Sequence, residues 1–289
     1  MRLSELNAAN AKTLEAARAG KADVSDPMQF PFLGYYEADI FECDPFLMFT
    51  NNDCPRALNI LFGRSFEPGS MKIWCRLART ATGILDIGAS VGVYALAAAS
   101  LRKDIKVHAF EPNPHAYSRL RMHKLLNKFD NIIEHTFAVG DKNQYVNFGW
   151  VIKPFVQISS GGGVGRAEGK GVESILVPMR MLDGSGMASV LGNKPLIKID
   201  VEGGEALTFK GMKELLQLKP DIILETFSQA SCDAINEQIL PLGYQVYQII
   251  EAEHRVVRQD KLIPCDPAKL DFNQFLTVRT PDEVSRILE

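Results

Sequence analysis

The chain of 289 residues carries 35 Asp and Glu against 32 Lys and Arg, for a formal net charge of −3, and 46% of its residues are hydrophobic. The basic residues are spread along it without forming a block, which excludes a general binder of nucleic acid or of an anionic membrane surface. Its five cysteines lack CxxC spacing and indicate neither a disulfide framework nor a zinc site, and no apolar run approaches the roughly 18 residues of a membrane span. With no apolar core of the signal-peptide type at the N-terminus either, the expectation is a soluble protein of a reducing cytoplasm, built as one elaborated α/β domain.

Taken in order, Leu3, Leu6, Leu14 and several alanines lie among polar residues over residues 3–19. They predict an amphipathic helix that ends at Gly20 and docks on the body or on a second copy of the chain, a homodimer. Residues 21–31 are polar, hold Pro27 and Pro31, and read as a linker. Residues 1–40 are therefore expected to be an N-terminal helical extension and linker, ahead of a domain over residues 41–289. From residue 32 to residue 52 the aromatics Phe32, Tyr35, Tyr36, Phe41, Phe46 and Phe49 either fill a core or form a lip over a pocket. Residues 69–80, with Ile73, Trp74 and Leu77 at helical spacing, predict a helix leading into the first strand of a sheet.

Residues 84–87 are a short apolar run with one charge, Asp86; the run breaks at Gly88, and an Ala/Leu-rich stretch follows Gly92. This predicts strand, glycine turn and helix, a junction that points backbone N–H groups and a helix N-terminus into a crevice at the carboxyl edge of a parallel sheet. A dinucleotide fingerprint would need glycines where this chain has Gly88, Ser90 and Val93. The side chains at 90 and 93 disfavour close approach of a pyrophosphate. Asp86 would repel phosphate but can pair with an ammonium group, such as that of S-adenosylmethionine. Asp86, Gly88, Ala89, Ser90 and Gly92 are thus candidate cofactor residues, although Asp86 could also only cap the turn.

Residues 106–110 predict a second strand, followed by Glu111, Pro112, Asn113 and a helix from Pro114 to about Phe129. A carboxylate at 111 can accept both hydroxyls of a ribose, so Glu111 and Asn113 join the cofactor set. Residues 131–139 predict a third strand, with Ala138 and Val139 small enough to lie against an adenine ring. Between residues 142 and 180, strand-like runs at 145–151, 155–159 and 172–177 flank the glycine-rich string SSGGGVGR (159–166). That string is either a mobile loop beside the substrate mouth or a long surface turn.

Residues 195–199 predict another strand, with Asp200 at its end and Glu202 and Glu205 close behind; Glu205 starts a helix that continues to about Leu218. Residues 221–226 form a further strand ending in Glu225, so four carboxylates gather at the edge that carries the glycine turn. Asp200 is the first candidate for a catalytic base or an orienter of the acceptor, with Glu202 and Glu225 behind it and His135 more remote. An oxygen-only set suits Mg²⁺, but no metal is assigned to it. A helix over 232–240, strands over 244–250 and 275–278, and a polar connection between the strands complete the chain.

Together FEP (66–68), LDIGASVGVY (85–94), AFEPN (109–113), AVGD (138–141) and IKIDVEGGE (197–205) resemble the FkbM family of S-adenosylmethionine-dependent methyltransferases over about residues 45–280. The resemblance implies a class I, Rossmann-like fold: a seven-stranded, mostly parallel sheet with helices on both faces and its last strand inserted antiparallel. It also implies O-methylation of a hydroxyl on a sugar, a glycan or a small secondary metabolite. The chain departs from the family pattern at Ser90, where Asn is common. The rival readings are an NAD-dependent sugar or sugar-nucleotide oxidoreductase, disfavoured by Ser90 and Val93, and a cofactor-binding protein without catalysis.

Overall fold

The computed structural model describes residues 2–21, 31–40, 42–62, 66–151, 158, 162–165, 171–266 and 271–289. The N-terminal amphipathic stretch is a helix, α1 (Leu3–Arg18), docked on the chain's own body. Asn10 exchanges two hydrogen bonds with the Leu33 backbone, Thr13 donates to the Pro31 carbonyl, and Ala16 and Ala17 pack on Leu58 and Phe62. The aromatic segment pairs as an antiparallel hairpin, β1 (Gly34–Ala38) and β2 (Phe46–Thr50), which straddles residue 40. Phe32, Tyr36 and Phe46 point into the core, whereas Tyr35 is exposed. Phe41 lies outside the described residues. Prolines at the first turn open the next two helices, α2 (Pro55–Leu61) and α3 (Pro68–Ala78).

The predicted alternation follows: β3 (Gly83–Ile87), α4 (Val93–Leu101), β4 (Val107–Phe110), α5 (Pro114–Asn127) and β5 (Ile132–His135), with β3 and β4 wholly buried. The single strand expected over 131–139 is cut in two. Phe137 turns back against Phe110 and His135, with ring centroids 5.3 and 5.5 Å apart, and carries the chain off the sheet edge. Residues Ala138–Val139 (β6) then join β7 (Gln144–Val151), β8 (Gly163–Val164) and β9 (Val172–Arg180) in a second, four-stranded sheet ordered β6-β9-β7-β8. Most of the strand expected at 155–159 lies outside the described residues, as do the two ends of the glycine-rich string.

After α6 (Met187–Leu191) comes β10 (Pro195–Ile199). The one helix expected from Glu205 to Leu218 is two, α7 (Glu205–Lys210) and α8 (Lys213–Gln217). They break at Gly211, where a Cβ would stand 1.9 Å from the Gly140 carbonyl oxygen, so the second sheet leaves no room for a continuous helix there. The chain ends with β11 (Asp221–Glu225), α9 (Gln229–Ile239), β12 (Gln245–Ile250), β13 (Arg255–Gln259), β14 (Asn273–Thr277) and α10 (Pro281–Leu288).

The main sheet runs β13-β12-β14-β11-β10-β3-β4-β5, with β14 antiparallel to both of its neighbours. Without β13 this is the seven-stranded arrangement that the resemblance implies. β13 is an eighth strand on the edge, with its residues exposed or half-buried, which is why its sequence reads as a polar connection. Ile84, Leu196 and Ile223 face the α3 and α4 side, and Leu85, Ile197 and Ile222 face the α7 to α9 side. Strands covered on both faces are continuous apolar runs, so a charge inside one stands out. No helix among the described residues is long and apolar enough to cross a membrane.

Candidate active site

The glycine turn after β3 is pressed directly on the end of β10. Gly88 has φ +85°, and a Cβ there would lie 1.7 Å from the Asp200 carbonyl oxygen. The turn and the first candidate base are therefore held in contact by the absence of a side chain. Ser90 is left-handed at φ +50°, a conformation in which Asn is more at ease than Ser. Gly92, at φ +92°, caps α4.

Glu111 bridges the loops after β3 and β4. Its carboxylate accepts from the Ser90 and Asn113 backbone N–H groups, each at 2.7 Å, and burial pushes its pKa up to about 7. Asn113 caps α5 by accepting from the His115 N–H at 3.0 Å. Asp86 accepts from the Ala95 N–H at 3.0 Å, so it is a helix-start cap as well as a neighbour of the site. Burial raises its pKa to about 7 against the opposing pull of Lys198. Gly88, Ser90, Glu111 and Asn113, with Ala138 and Val139 at the far end, line a cleft of about 730 Å³ that is walled by Phe110 and Phe137.

Of the four carboxylates expected at this edge, three meet: oxygens of Asp200, Glu202 and Glu225 lie within 4.8 Å of one another. Burial, and then the Asp200 charge, push Glu225 up to about 9. Glu205 stays apart, accepting from the Gly203 N–H at 2.7 Å in the first turn of α7. His135 stacks on Phe110 with ring centroids 4.4 Å apart, bonds to His108, and does not line this cleft. A hard cation could bridge the three carboxylates, but two positive side chains already face them. Lys198 Nζ is 3.8 Å and Arg56 Nη2 3.9 Å from Asp200 Oδ2.

A second, larger cleft of about 1690 Å³ opens beside the first and shares Arg56, Ser90 and Glu202 with it. Phe66, Phe227 and Phe272 give it aromatic walls, and Glu67, Glu225 and Glu251 give it acceptors. Glu67 is left-handed at φ +43° and accepts from the Tyr94 hydroxyl at 2.5 Å and from Asn273 at 2.8 Å. Left-handed backbone at Glu67, Ser90 and Glu202, all on these walls, is the kind of local strain that a site stores.

Sequence reasoning missed Arg56, Glu67 and Lys198 as site residues. For Lys198 the signal was present, because a lysine inside Leu196-Ile197-Lys198-Ile199, a strand buried on both faces, needs a partner. Arg56 carries no comparable mark, since it reaches the site only through the packing of α2.

A family profile described as Methyltransferase FkbM domain matches residues 86–246, more than half of the chain. No curated protein matches it. Among solved structures it is similar to precorrin-6y C5,15-methyltransferase from Geobacter metallireducens, with 12% identity over 74% of this chain and 87% of that one and a TM-score of 0.39. It is similar also to a SAM-dependent methyltransferase from Agrobacterium tumefaciens, with 11% identity over 86% and 71% and a TM-score of 0.42. A third is M. jannaschii TYW2 in complex with AdoMet, with 14% identity over 84% and 83% and a TM-score of 0.36. The weight rests on the family match, with which the strand order and the glycine turn agree: the chain belongs to the FkbM methyltransferase family, with S-adenosylmethionine as its cofactor.

Proposed function

We propose that the protein methylates a hydroxyl of a sugar, a glycan or a small secondary metabolite. The observation that carries this reading is the meeting of the two clefts at Glu202, beside Asp200, with carboxylates and aromatic rings lining the outer one. Carboxylates accept from hydroxyl pairs and aromatic faces pack on the C–H face of a sugar ring, so such a wall suits a polyol. When bound, the cofactor supplies a methyl group already activated by the sulfonium. What the chain must add is alignment, exclusion of water and removal of one proton.

In this reading Asp200 takes the proton or orients the hydroxyl, and Lys198 and Arg56 keep its charge compensated. Glu202 and Glu225 hold the acceptor's other hydroxyls. Glu111, Ser90 and Asn113 fix the ribose end of the cofactor cleft, and Ala138 and Val139 lie along the base. Residues 1–40 serve as an extension docked on the 41–289 domain. The cytoplasm, where the five free cysteines stay reduced, is the compartment that fits.

The test is a panel of hydroxyl compounds, including neutral sugars, glycans and polyketide-like alcohols, incubated with the protein and isotopically labelled S-adenosylmethionine. The expected result is a methyl ether in the product, located by mass spectrometry. Label found on nitrogen or carbon would replace the O-methyl reading. Tight cofactor binding without transfer to any compound in a broad panel would favour a binding protein without catalysis.

A further inference from the structure

The outer cleft is far more acidic than the chain that forms it. Five carboxylates line it, Glu67, Glu202, Glu225, Glu251 and Asp271, against one basic side chain, Arg56. That local excess is larger than the excess of the whole chain, which has 35 acidic residues against 32 basic. Arg56 does not offset it, being turned to Asp200 at 3.9 Å. Among the described residues Glu67, Glu251 and Asp271 make no ion pair. What holds them is neutral. Glu251 accepts from the Gly69 and Ser70 N–H groups at 2.8 and 3.0 Å, and Asp271 accepts from the Glu251 N–H at 2.9 Å. The amide of Asn273, a fully buried residue, donates to Glu67 at 2.8 Å and reaches Glu251 at 3.4 Å, so one nitrogen keeps two carboxylates side by side. Like charges held together away from water are costly unless a cation joins them. Burial, and then the Glu67 charge, accordingly raise the pKa of Glu251. On the same wall Phe227 is 41% exposed, with its ring centroid 5.8 Å from that of Phe272. Aromatic faces beside carboxylates attract an organic cation, and Phe66 already carries the Arg56 guanidinium at 5.6 Å.

We propose that the outer cleft selects an acceptor carrying a protonated amine besides the hydroxyl to be methylated, an amino sugar or aminocyclitol, with its ammonium at Glu67, Glu251 and Asp271 and against Phe227 and Phe272. The proposal rests on the hydroxyl-methylation reading and names the substrate class within it. Position supports it. Glu202 and Glu225 meet Asp200 and keep the acceptor's hydroxyls, whereas Glu67, Glu251 and Asp271 line the outer cleft and not the inner one. The amine and the reacting oxygen are therefore different groups of one acceptor. The rings decide between kinds of cation, because a hydrated metal ion would use the carboxylates but gain nothing from exposed phenyl faces. A purely structural role is a poorer account. Glu251 caps the start of α3 by itself, and that cap needs no second carboxylate brought up beside it.

The test is calorimetry on the full chain saturated with S-adenosylhomocysteine, using probes of similar size: kanamycin, its fully N-acetylated form, and cellotriose. The parent is expected to bind kanamycin roughly 10- to 100-fold more tightly than either neutral probe, the scale of charge-assisted hydrogen bonds. Glu67→Gln keeps a carbonyl acceptor for Tyr94 and Asn273 but removes the charge. Its preference for kanamycin should fall to within about threefold on the same scale, with affinities for cellotriose and S-adenosylhomocysteine unchanged. Loss of S-adenosylhomocysteine binding in that variant would mark damage to the fold, and Asp271→Asn, in which the preference should also fall, then decides. A parent that binds all three probes alike, or none of them, would overturn the proposal and leave the hydroxyl reading to the labelling experiment. A preference that survives both substitutions would come from the chain's general negative charge and would overturn it too. Label passed from S-adenosylmethionine to a kanamycin nitrogen would place the amine at Asp200 and overturn both readings.

Discussion

The two clefts share a rim but are built from different kinds of chain. The cofactor cleft sits on the ends of β3, β4 and β10, three neighbouring parallel strands whose turns follow at once in sequence. The outer cleft takes its walls from α2, the loop at 66–68, the ends of β11 and β12 and the residues just before β14, together with Ser90, Ile158 and Glu202. Most of the residues that mark the first lie in the turns just after those strands, Gly88 and Ser90, Glu111 to Asn113, and Asp200 to Glu202, each with its own local signature; Arg56, Phe148 and Met179 reach it from elsewhere. The walls of the second are far apart in sequence and come together only through packing. The difference teaches that a ligand held by backbone turns can be read from short strings, whereas one held by side chains from scattered elements cannot.

The strongest way to break this contrast is at its hinge. Gly88→Ala would force a Cβ into a space 1.7 Å from the Asp200 carbonyl, at a φ of +85° that alanine resists. A loss of stability on the order of 4 kcal/mol or more is expected, together with loss of cofactor binding, because β10 must move away from β3. Thermal melting and calorimetry would show it. A well-folded, binding-competent Gly88→Ala would mean that the turn is not held by that contact. Next in size is Asp200→Asn. It keeps the shape and hydrogen bonding but removes the charge, so turnover should fall about a hundredfold while S-adenosylhomocysteine binding stays close to parent. Parent-like turnover, alongside a tenfold loss in Glu202→Gln or Glu225→Gln, would move the proton-taking role to that neighbour.

How much of the molecule was legible follows the same division. Strands covered on both faces, the glycine turn, the proline that starts α5 and the antiparallel last strand could be stated from the residues or from the family likeness, whereas α2 and α10 were not. The edge strand β13 could not, because exposed edge residues are polar in strand and loop alike. The splitting of the third strand at Phe137 and of the 205–218 helix at Gly211 depends on contacts from elsewhere in the chain, with Phe110 and with Gly140. Glu205 was grouped with Asp200, Glu202 and Glu225 by nearness in sequence. Yet Gly203 and Gly204 separate Glu202 from Glu205, which is enough for α7 to begin and turn that carboxylate back on the Gly203 N–H. Arg56 was silent for the opposite reason, being distant in sequence and close in space.

A smaller effect sharpens the reading of Glu111. Its carboxylate already ties Ser90 N–H to Asn113 N–H, so removing it loosens two loops and also removes the acceptor proposed for the ribose. Glu111→Ala should weaken S-adenosylhomocysteine by roughly 1.5 to 3 kcal/mol. Glu111→Gln, which retains one carbonyl acceptor, should lie between the variant and the parent. Equal affinity across all three would mean that the cofactor does not use this side chain.

The smallest expected effect is a pH dependence that belongs to the cofactor cleft. Asp86 is raised from 3.8 to about 7 and Glu111 from 4.5 to about 7, chiefly by burial. A carboxyl group raised on folding binds more protons in the folded chain than in the unfolded one. Its contribution to stability is therefore full below pH 4 and is lost as pH rises through 7. Glu225, raised to about 9, extends the same trend upward. His108 and His123, both lowered to about 4 by burial, act in the opposite sense but only below their ordinary value of 6.5. The apo protein should thus melt at a lower temperature at pH 8 than at pH 7. Ligand donors that meet Asp86 and Glu111 favour the ionised carboxylates, so binding near neutrality releases protons and S-adenosylhomocysteine should bind about three- to tenfold more tightly at pH 8 than at pH 6. Neither histidine lines the cleft, so their titration cancels when the melting temperature with ligand is compared with that without. The expected result is a ligand-induced shift that grows from pH 6 to pH 8 in the parent and grows less in Glu111→Gln. A shift that stays constant across that range would show that neither carboxylate changes its protonation when the cofactor binds.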